Sequence, residues 1–192
     1  NALNFYNSKK FKDNIDADGY RKNVGIIICN SDSQLLLAGR IANKGWQFPQ
    51  GGVHQNEATD EAMYRELYEE VGLVEKNVEF LGKTDKWLKY QLPKKFIRRD
   101  NQPLCIGQKQ KWYLLKLIDN DTKISLNQGS EPEFDRWKWV SFWQPVSKVI
   151  YFKRQIYYSA LEELAKYIFP NKPPEKPRWW PKEWQEKNDL EA

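Results

Sequence analysis

Cysteine, methionine and histidine are scarce in this 192-residue sequence, which holds two Cys, one Met and one His. Cys29 and Cys105 each lie inside an apolar stretch. They could pair, but two buried free thiols in a reducing compartment are the expectation, so disulfides are not what holds the fold. No apolar run approaches the ~18 residues that would span a bilayer, which excludes a membrane helix. No signal-peptide pattern opens the sequence, and a cytoplasmic location is expected. Internal repeats are also lacking, and nothing outside the C-terminal segment is compositionally biased. What is present suits a packed core: 40% of residues are hydrophobic and 15% aromatic, well above the range of disordered chains.

The net charge is +5, but its distribution says more. The segment from Lys83 to Lys111 carries nine basic residues (Lys83, Lys86, Lys89, Lys94, Lys95, Arg98, Arg99, Lys109, Lys111) against Asp85 and Asp100. That local surplus exceeds the excess of the whole chain, so the remainder is slightly acidic. A basic zone of this kind either draws polyanions toward a site or is a solvated strand face.

Residues 24–29 and 34–38, around the turn-forming Asn30-Ser31-Asp32-Ser33, read as a β-hairpin. Residues 46–52 read as a short strand running into a glycine turn. A helix capped by Thr59 or a near neighbour should run to Val71 and end at Gly72. Further strands are expected at residues 78–81, 87–92, 111–117 and 137–140. Residues 154–168 carry Tyr157, Leu161, Leu164 and Ile168 at helical spacing, so a second amphipathic helix is expected there. Strands with one helix inserted early and another late give an α/β fold, a mixed sheet covered by helices. Residues 1–18 are set apart as an N-terminal extension, residues 19–169 as the folded domain and residues 170–192 as a C-terminal tail. The tail holds Pro170, Pro173, Pro174, Pro177 and Pro181, half of all the prolines, with Trp179, Trp180 and Trp184. Proline fixes φ and cannot donate a backbone hydrogen bond, so an extended tail adding little to the core is expected. Its tryptophans would either dock on the outer surface, away from the first helix, or stay mobile.

The chemistry concentrates between Gly51 and Leu73. Glu66, Glu69 and Glu70 return to one side of the first helix, within an arc of roughly 100°. Met63, Leu67 and Val71 form the neighbouring apolar stripe. Three like charges on one face repel. A hard cation such as Mg²⁺ takes carboxylate oxygens, shares its shell with substrate phosphates and would offset that repulsion. Arg65 stands at i,i+4 from Glu69 and can orient it. A solvated acidic face would explain these glutamates alone, but not the glycines and Glu57 upstream or Gly72 at the end.

The full pattern is Gly51, five residues, Glu57, seven residues, then Arg65-Glu66-Leu67-x-Glu69-Glu70-x-Gly72-Leu73. It resembles the Nudix box at every defining position. The resemblance implies an α/β/α sandwich in which a loop–helix–loop box binds Mg²⁺, with Mn²⁺ or another divalent cation able to substitute. It makes Glu66, Glu69 and Glu70 the metal ligands, with Gly51, Gly52, Glu57, Arg65 and Gly72 shaping or bracing the box. Water attack on phosphorus is the implied chemistry, and a carboxylate is the expected base. His54 is expected to be an exposed turn residue. The flanks, residues 19–25, 46–52, 87–93, 105–112, 133–135 and 152–154, resemble the bacterial RNA pyrophosphohydrolases. That group is itself similar to dinucleoside polyphosphate hydrolases, and the likeness extends over about residues 19–168. It implies removal of pyrophosphate from 5′-triphosphorylated RNA by a monomer. A dinucleoside polyphosphate substrate is the alternative, and a non-catalytic RNA-binding module is the reading of another class. It also implies that Glu133 is a fourth metal ligand or base. Arg21, Arg40, Tyr90, Phe152 and Lys153 would line the substrate end, and Trp87, Tyr90 and Phe96 are available to stack on bases. One departure lies before Glu57, where relatives commonly have glycine and this sequence has Asn56.

Overall fold

A computed structural model describes residues 14–184. The first thirteen residues of the expected extension and the last eight of the expected tail lie outside the described residues. Eight strands form one mixed sheet, in the order β3-β2-β1-β7-β5 with β4 on β1, β6 on β7 and β8 on β2. The strands are β1 (Tyr20–Cys29), β2 (Leu35–Arg40), β3 (Trp46–Gln47), β4 (Gln50–Gly52), β5 (Val78–Lys83), β6 (Leu88–Gln91), β7 (Gly107–Leu117) and β8 (Phe134–Val140). The helices are α1 (Thr59–Val71), α2 (Gln144–Lys148) and α3 (Arg154–Leu164), the last followed by a 3₁₀ turn, Ala165–Tyr167. No helix of the described residues is long and apolar enough to cross a membrane.

Alternation along β1 builds the two layers. Val24, Ile26 and Ile28 pack with Met63, Leu67 and Val71 of α1, whereas Ile27 and Cys29 pack with Ile156, Tyr157 and Leu161 of α3. Successive strand side chains point to opposite faces, so an apolar run such as residues 24–29 suits a strand covered on both sides. The result is the expected α/β/α sandwich. β1 is joined in parallel to β7 over ten residue pairs, from Tyr20–Gly107 to Cys29–Lys116. The other pairings are antiparallel.

Several expectations are corrected. Helix α1 begins at Thr59 with Ala58 as its N-cap and no side-chain cap bond. The Thr59 hydroxyl instead accepts from the Tyr113 hydroxyl at 2.9 Å. Gly72 does end the helix, in the left-handed conformation at φ 72°, which glycine adopts without a Cβ penalty. Gly51 and Gly52 are not a turn: they form β4 and pair with Val24 and Asn23. The sequence reading missed α2 and shortened β1 and β7. Both thiols are free, but Cys105 is only half-buried.

The tail is the largest correction. Trp180 is 5% exposed and belongs to the core layer on the α3 side, with ring contacts to Trp143, Tyr158 and Trp184. Trp143 donates its indole N–H to the Pro174 carbonyl at 2.7 Å, and Lys176 reaches Glu162 and the Tyr158 hydroxyl at 2.5 and 2.8 Å. The prolines do keep this stretch out of regular strands and helices. An extended segment can still bury a large ring, and Trp180 does so, while Trp179 stays 63% exposed.

Candidate active site

The box is assembled around Arg65. Its guanidinium donates to both Glu57 oxygens (2.9 and 3.0 Å), to Glu66 Oε1 (2.7 Å), to Glu69 Oε2 (3.3 Å) and to the Gly52 carbonyl (2.7 Å). One side chain thus ties α1 to β4 and to the loop before α1. Charge-assisted, partly shielded bonds of this kind are the stronger ones. Glu57 also accepts from the His54 backbone N–H at 3.0 Å. Burial pushes the Glu57 carboxyl up, but its bonds to Arg65 win and hold it below the usual range. Asn56 takes φ 63°, keeping the left-handed turn that a glycine would supply; asparagine tolerates it.

Glu66 is 9% exposed and lies against Gly51, where a Cβ would fall 1.9–2.3 Å from its carboxyl group. Burial raises its pKa to about 7 against the pull of Arg65, and Glu69 and Glu57 add to the rise. Glu70 accepts from the Gln50 backbone N–H at 3.0 Å. Burial first, then the Glu66 charge, lift its pKa well above the ordinary carboxylate value, with Glu133 and Glu69 pushing the same way. Glu69 is the exposed member of the trio.

A cavity of about 470 Å³ brings these groups together. Glu66, Glu69, Glu70 and Glu133 line it with Arg65, and Arg21, Arg40 and Lys153 supply cations at the same cavity. Lys153 comes from the turn before α3; burial and the Arg40 charge bring its pKa down to about 8, opposed by Glu133 and Glu70. His54 lines the cavity too and is half-buried, not an exposed turn residue.

Tyr90 and Phe152 are not among the lining residues. Tyr90 is 9% exposed, stands 6.0 Å from the Phe152 ring and donates its hydroxyl to Gln108. The exposed Phe96 ring meets Phe152 at a tilt, with centroids 5.5 Å apart. Sequence reasoning gave no role to Asn23, Gln50 and Gln110. The Gln110 amide donates to Asn23 at 2.8 Å and to Gln50 at 3.2 Å, bracing the strand that holds Glu70. Local sequence carried no signal for them, since Asn23 and Gln110 lie in the polar first parts of β1 and β7, next to Lys22 and Lys109. The loop at Gly129, Ser130 and Glu131 completes the cavity wall.

The donor set fits a hard divalent cation, since four carboxylates face one cavity and Glu66 and Glu70 are raised by burial and by neighbouring carboxylate charge. Among the described residues no three of them already form a cage, because Glu66 turns to Arg65 and Glu70 to the Gln50 amide.

Residues 19–161 match the family described as "NUDIX domain". The chain is 52% identical over 155 residues to an RNA pyrophosphohydrolase of Histophilus somni (strain 2336), covering 81% of each. It is 51% identical over 171 residues to one of Cronobacter sakazakii, covering 86% of this chain and 97% of that one. Among solved structures it is similar to the E. coli dihydroneopterin triphosphate pyrophosphohydrolase, with a TM-score of 0.58 and 18% identity over 74% of this chain and 95% of that one. A C. elegans Ap4A hydrolase binary complex gives a TM-score of 0.56 at 19% identity, over 77% of this chain and 96% of that one. At that identity the likeness is one of fold.

Proposed function

This chain belongs to the NUDIX family, and from that premise we propose that it is an RNA pyrophosphohydrolase, removing pyrophosphate from 5′-triphosphorylated RNA to leave a 5′-monophosphate. The observation that carries the reading is a cavity with two chemistries, four carboxylates together with Arg21, Arg40 and Lys153. A triphosphate end needs both, cations for its oxygens and carboxylates for the metal that accompanies it. The names of the curated relatives point the same way.

Glu66, Glu69 and Glu70, with Glu133, would hold a divalent cation, Mg²⁺ or in its place Mn²⁺. When bound it neutralises phosphate charge and lowers the barrier to water attack. Arg65 holds Glu66 and Glu69 beside the cavity before substrate arrives, which limits the reorganisation left for the reaction. Glu70 or Glu133, both at the cavity, would take the proton of the attacking water. As the water oxygen bonds to phosphorus, the anhydride P–O bond breaks and pyrophosphate leaves. Arg21, Arg40 and Lys153 would carry the polyphosphate charge, and Phe152 and Tyr90 would stiffen the segment that presents Lys153. All of these groups come from one chain, so a monomer suffices.

The test compares turnover of 5′-triphosphorylated RNA and of diadenosine tetraphosphate, side by side with Mg²⁺. Higher kcat/KM on RNA, with release of pyrophosphate, supports the proposal. Preference for the dinucleotide would make the chain a dinucleoside polyphosphate hydrolase. No turnover of either would leave a binding module.

A further inference from the structure

The α1 face of the sheet carries a basic, aromatic surface that the cavity does not use. Strand register creates it: Lys22 of β1 stands opposite Lys109 of β7, and Lys109 stands opposite Lys89 of β6. Three lysines thus form a row across three neighbouring strands, and Lys111 follows two residues on along β7. By alternation they share the face of Val24, Ile26, Tyr113 and Leu115, which pack with α1. The ammonium groups of Lys22, Lys109 and Lys111 lie 5.9, 5.6 and 5.6 Å from the centre of the half-buried Trp87 ring. Lys89 lies 5.2 Å from the centre of the Tyr20 ring.

Like charges placed directly opposite on neighbouring strands destabilise a sheet. Among the described residues one ion pair offsets this row, Asp16 to Lys109 at 2.6 Å. The aromatic contacts and the Lys111 bond to the Asp85 carbonyl offset part of the rest, and an external polyanion would offset more. The composition of the row narrows the class. A row of ammonium groups suits a backbone of repeated phosphates, and an indole among them offers a base a stacking surface. An acidic peptide would use the charge but not the ring. Arg21 and Asn23 line the cavity and flank Lys22, so this surface and the cavity occupy opposite faces of one segment of β1.

We propose that Lys22, Lys89, Lys111 and Trp87 bind the single-stranded body of an RNA, downstream of the 5′ end held in the cavity. The inference rests on the RNA-substrate reading and extends it.

The test is binding of a long single-stranded RNA with a 5′-hydroxyl, which has no triphosphate for the cavity, measured by fluorescence anisotropy across a salt series. For the double variant Lys22→Gln/Lys89→Gln, affinity should fall roughly tenfold and the log–log salt slope should flatten by about 1.4, at ~0.7 per lost single-strand phosphate contact. A cooperative melting curve for the variant establishes that lost binding is not lost structure. Trp87→Ala should weaken binding with little change in slope. An unchanged affinity and slope in the double variant overturns the inference, and would leave the row to an acidic protein or to solvent. Loss of 5′-hydroxyl RNA binding in the variant supports it even if the parent fails to hydrolyse triphosphorylated RNA. That failure would sink the substrate reading alone.

Discussion

Gly51→Ala and Gly52→Ala differ by one position along β4 and should differ sharply in effect. A Cβ at Gly51 would fall 1.9–2.3 Å from the Glu66 carboxyl, whereas at Gly52 it would meet nothing within 4 Å. Neither glycine has a left-handed backbone, so conformational strain does not separate them. Glu66 must shift in the first variant, and the shift disturbs its 2.7 Å bond to Arg65. A hydrogen bond between charged groups contributes ~1.5–3 kcal/mol. If the displaced carboxylate is lost to the reacting centre, kcat/KM should fall roughly 10- to 100-fold. The Mg²⁺ concentration for half-maximal rate should rise as well, because a ligand has moved. Steady-state kinetics across a Mg²⁺ titration, with melting curves to confirm folding, would read both effects. Equal kcat/KM and equal Mg²⁺ dependence in the two variants would refute the claim that this contact positions a catalytic carboxylate.

Other outcomes follow from the same geometry. Glu69→Gln or Glu70→Gln should nearly abolish turnover with the fold intact, and near-normal kcat at saturating Mg²⁺ would contradict the ligand assignment. Trp180→Ala should cost about 3–5 kcal/mol, as for a large core aromatic; an unchanged denaturation midpoint would show that the tail does not pack as described. Burial raises the folded-state pKa of Glu66 to about 7, so its favourable contribution is complete below the ordinary carboxylate pKa of 4.5 and fades as pH rises through 7. The metal-free protein should therefore melt lower at pH 8 than at pH 5, and Mg²⁺ should narrow the gap. A gap indifferent to Mg²⁺ would count against a cation at these carboxylates.

The box was legible because helical periodicity converts a local spacing into a shared face, and Glu66, Glu69 and Glu70 needed nothing more distant than one turn. The helix-covered sheet was legible from the strands with one helix expected early and another late. Features that depend on pairing between distant segments were not. The Lys22–Lys109–Lys89 row exists only once β1, β7 and β6 are in register. Trp180 could be seen as too apolar to remain solvated, but not that it would enter the core, because its partners Trp143 and Tyr158 are remote in sequence. Tyr90 was expected at a base-stacking position, yet its ring is turned inward against Phe152. No local signal tells a stacking tyrosine from a packing one.

The parallel junction of β1 with β7 also sets an order of events during synthesis. β1 is complete at Cys29 and α1 at Val71, yet the Asn23–Gln110 bond that braces the site joins residues 87 positions apart. The central strand therefore waits for its neighbour until more than half the chain has left the ribosome. Lys153, just ahead of α3, comes later still. Long-range pairings of this kind are slow to form and leave strand edges bare in the meantime. A nascent chain stalled before Gly107 would carry the glutamate helix and β1 without Tyr113, Leu115 and Leu117, which complete the layer between them, and so would be an aggregation hazard before it could be a hydrolase.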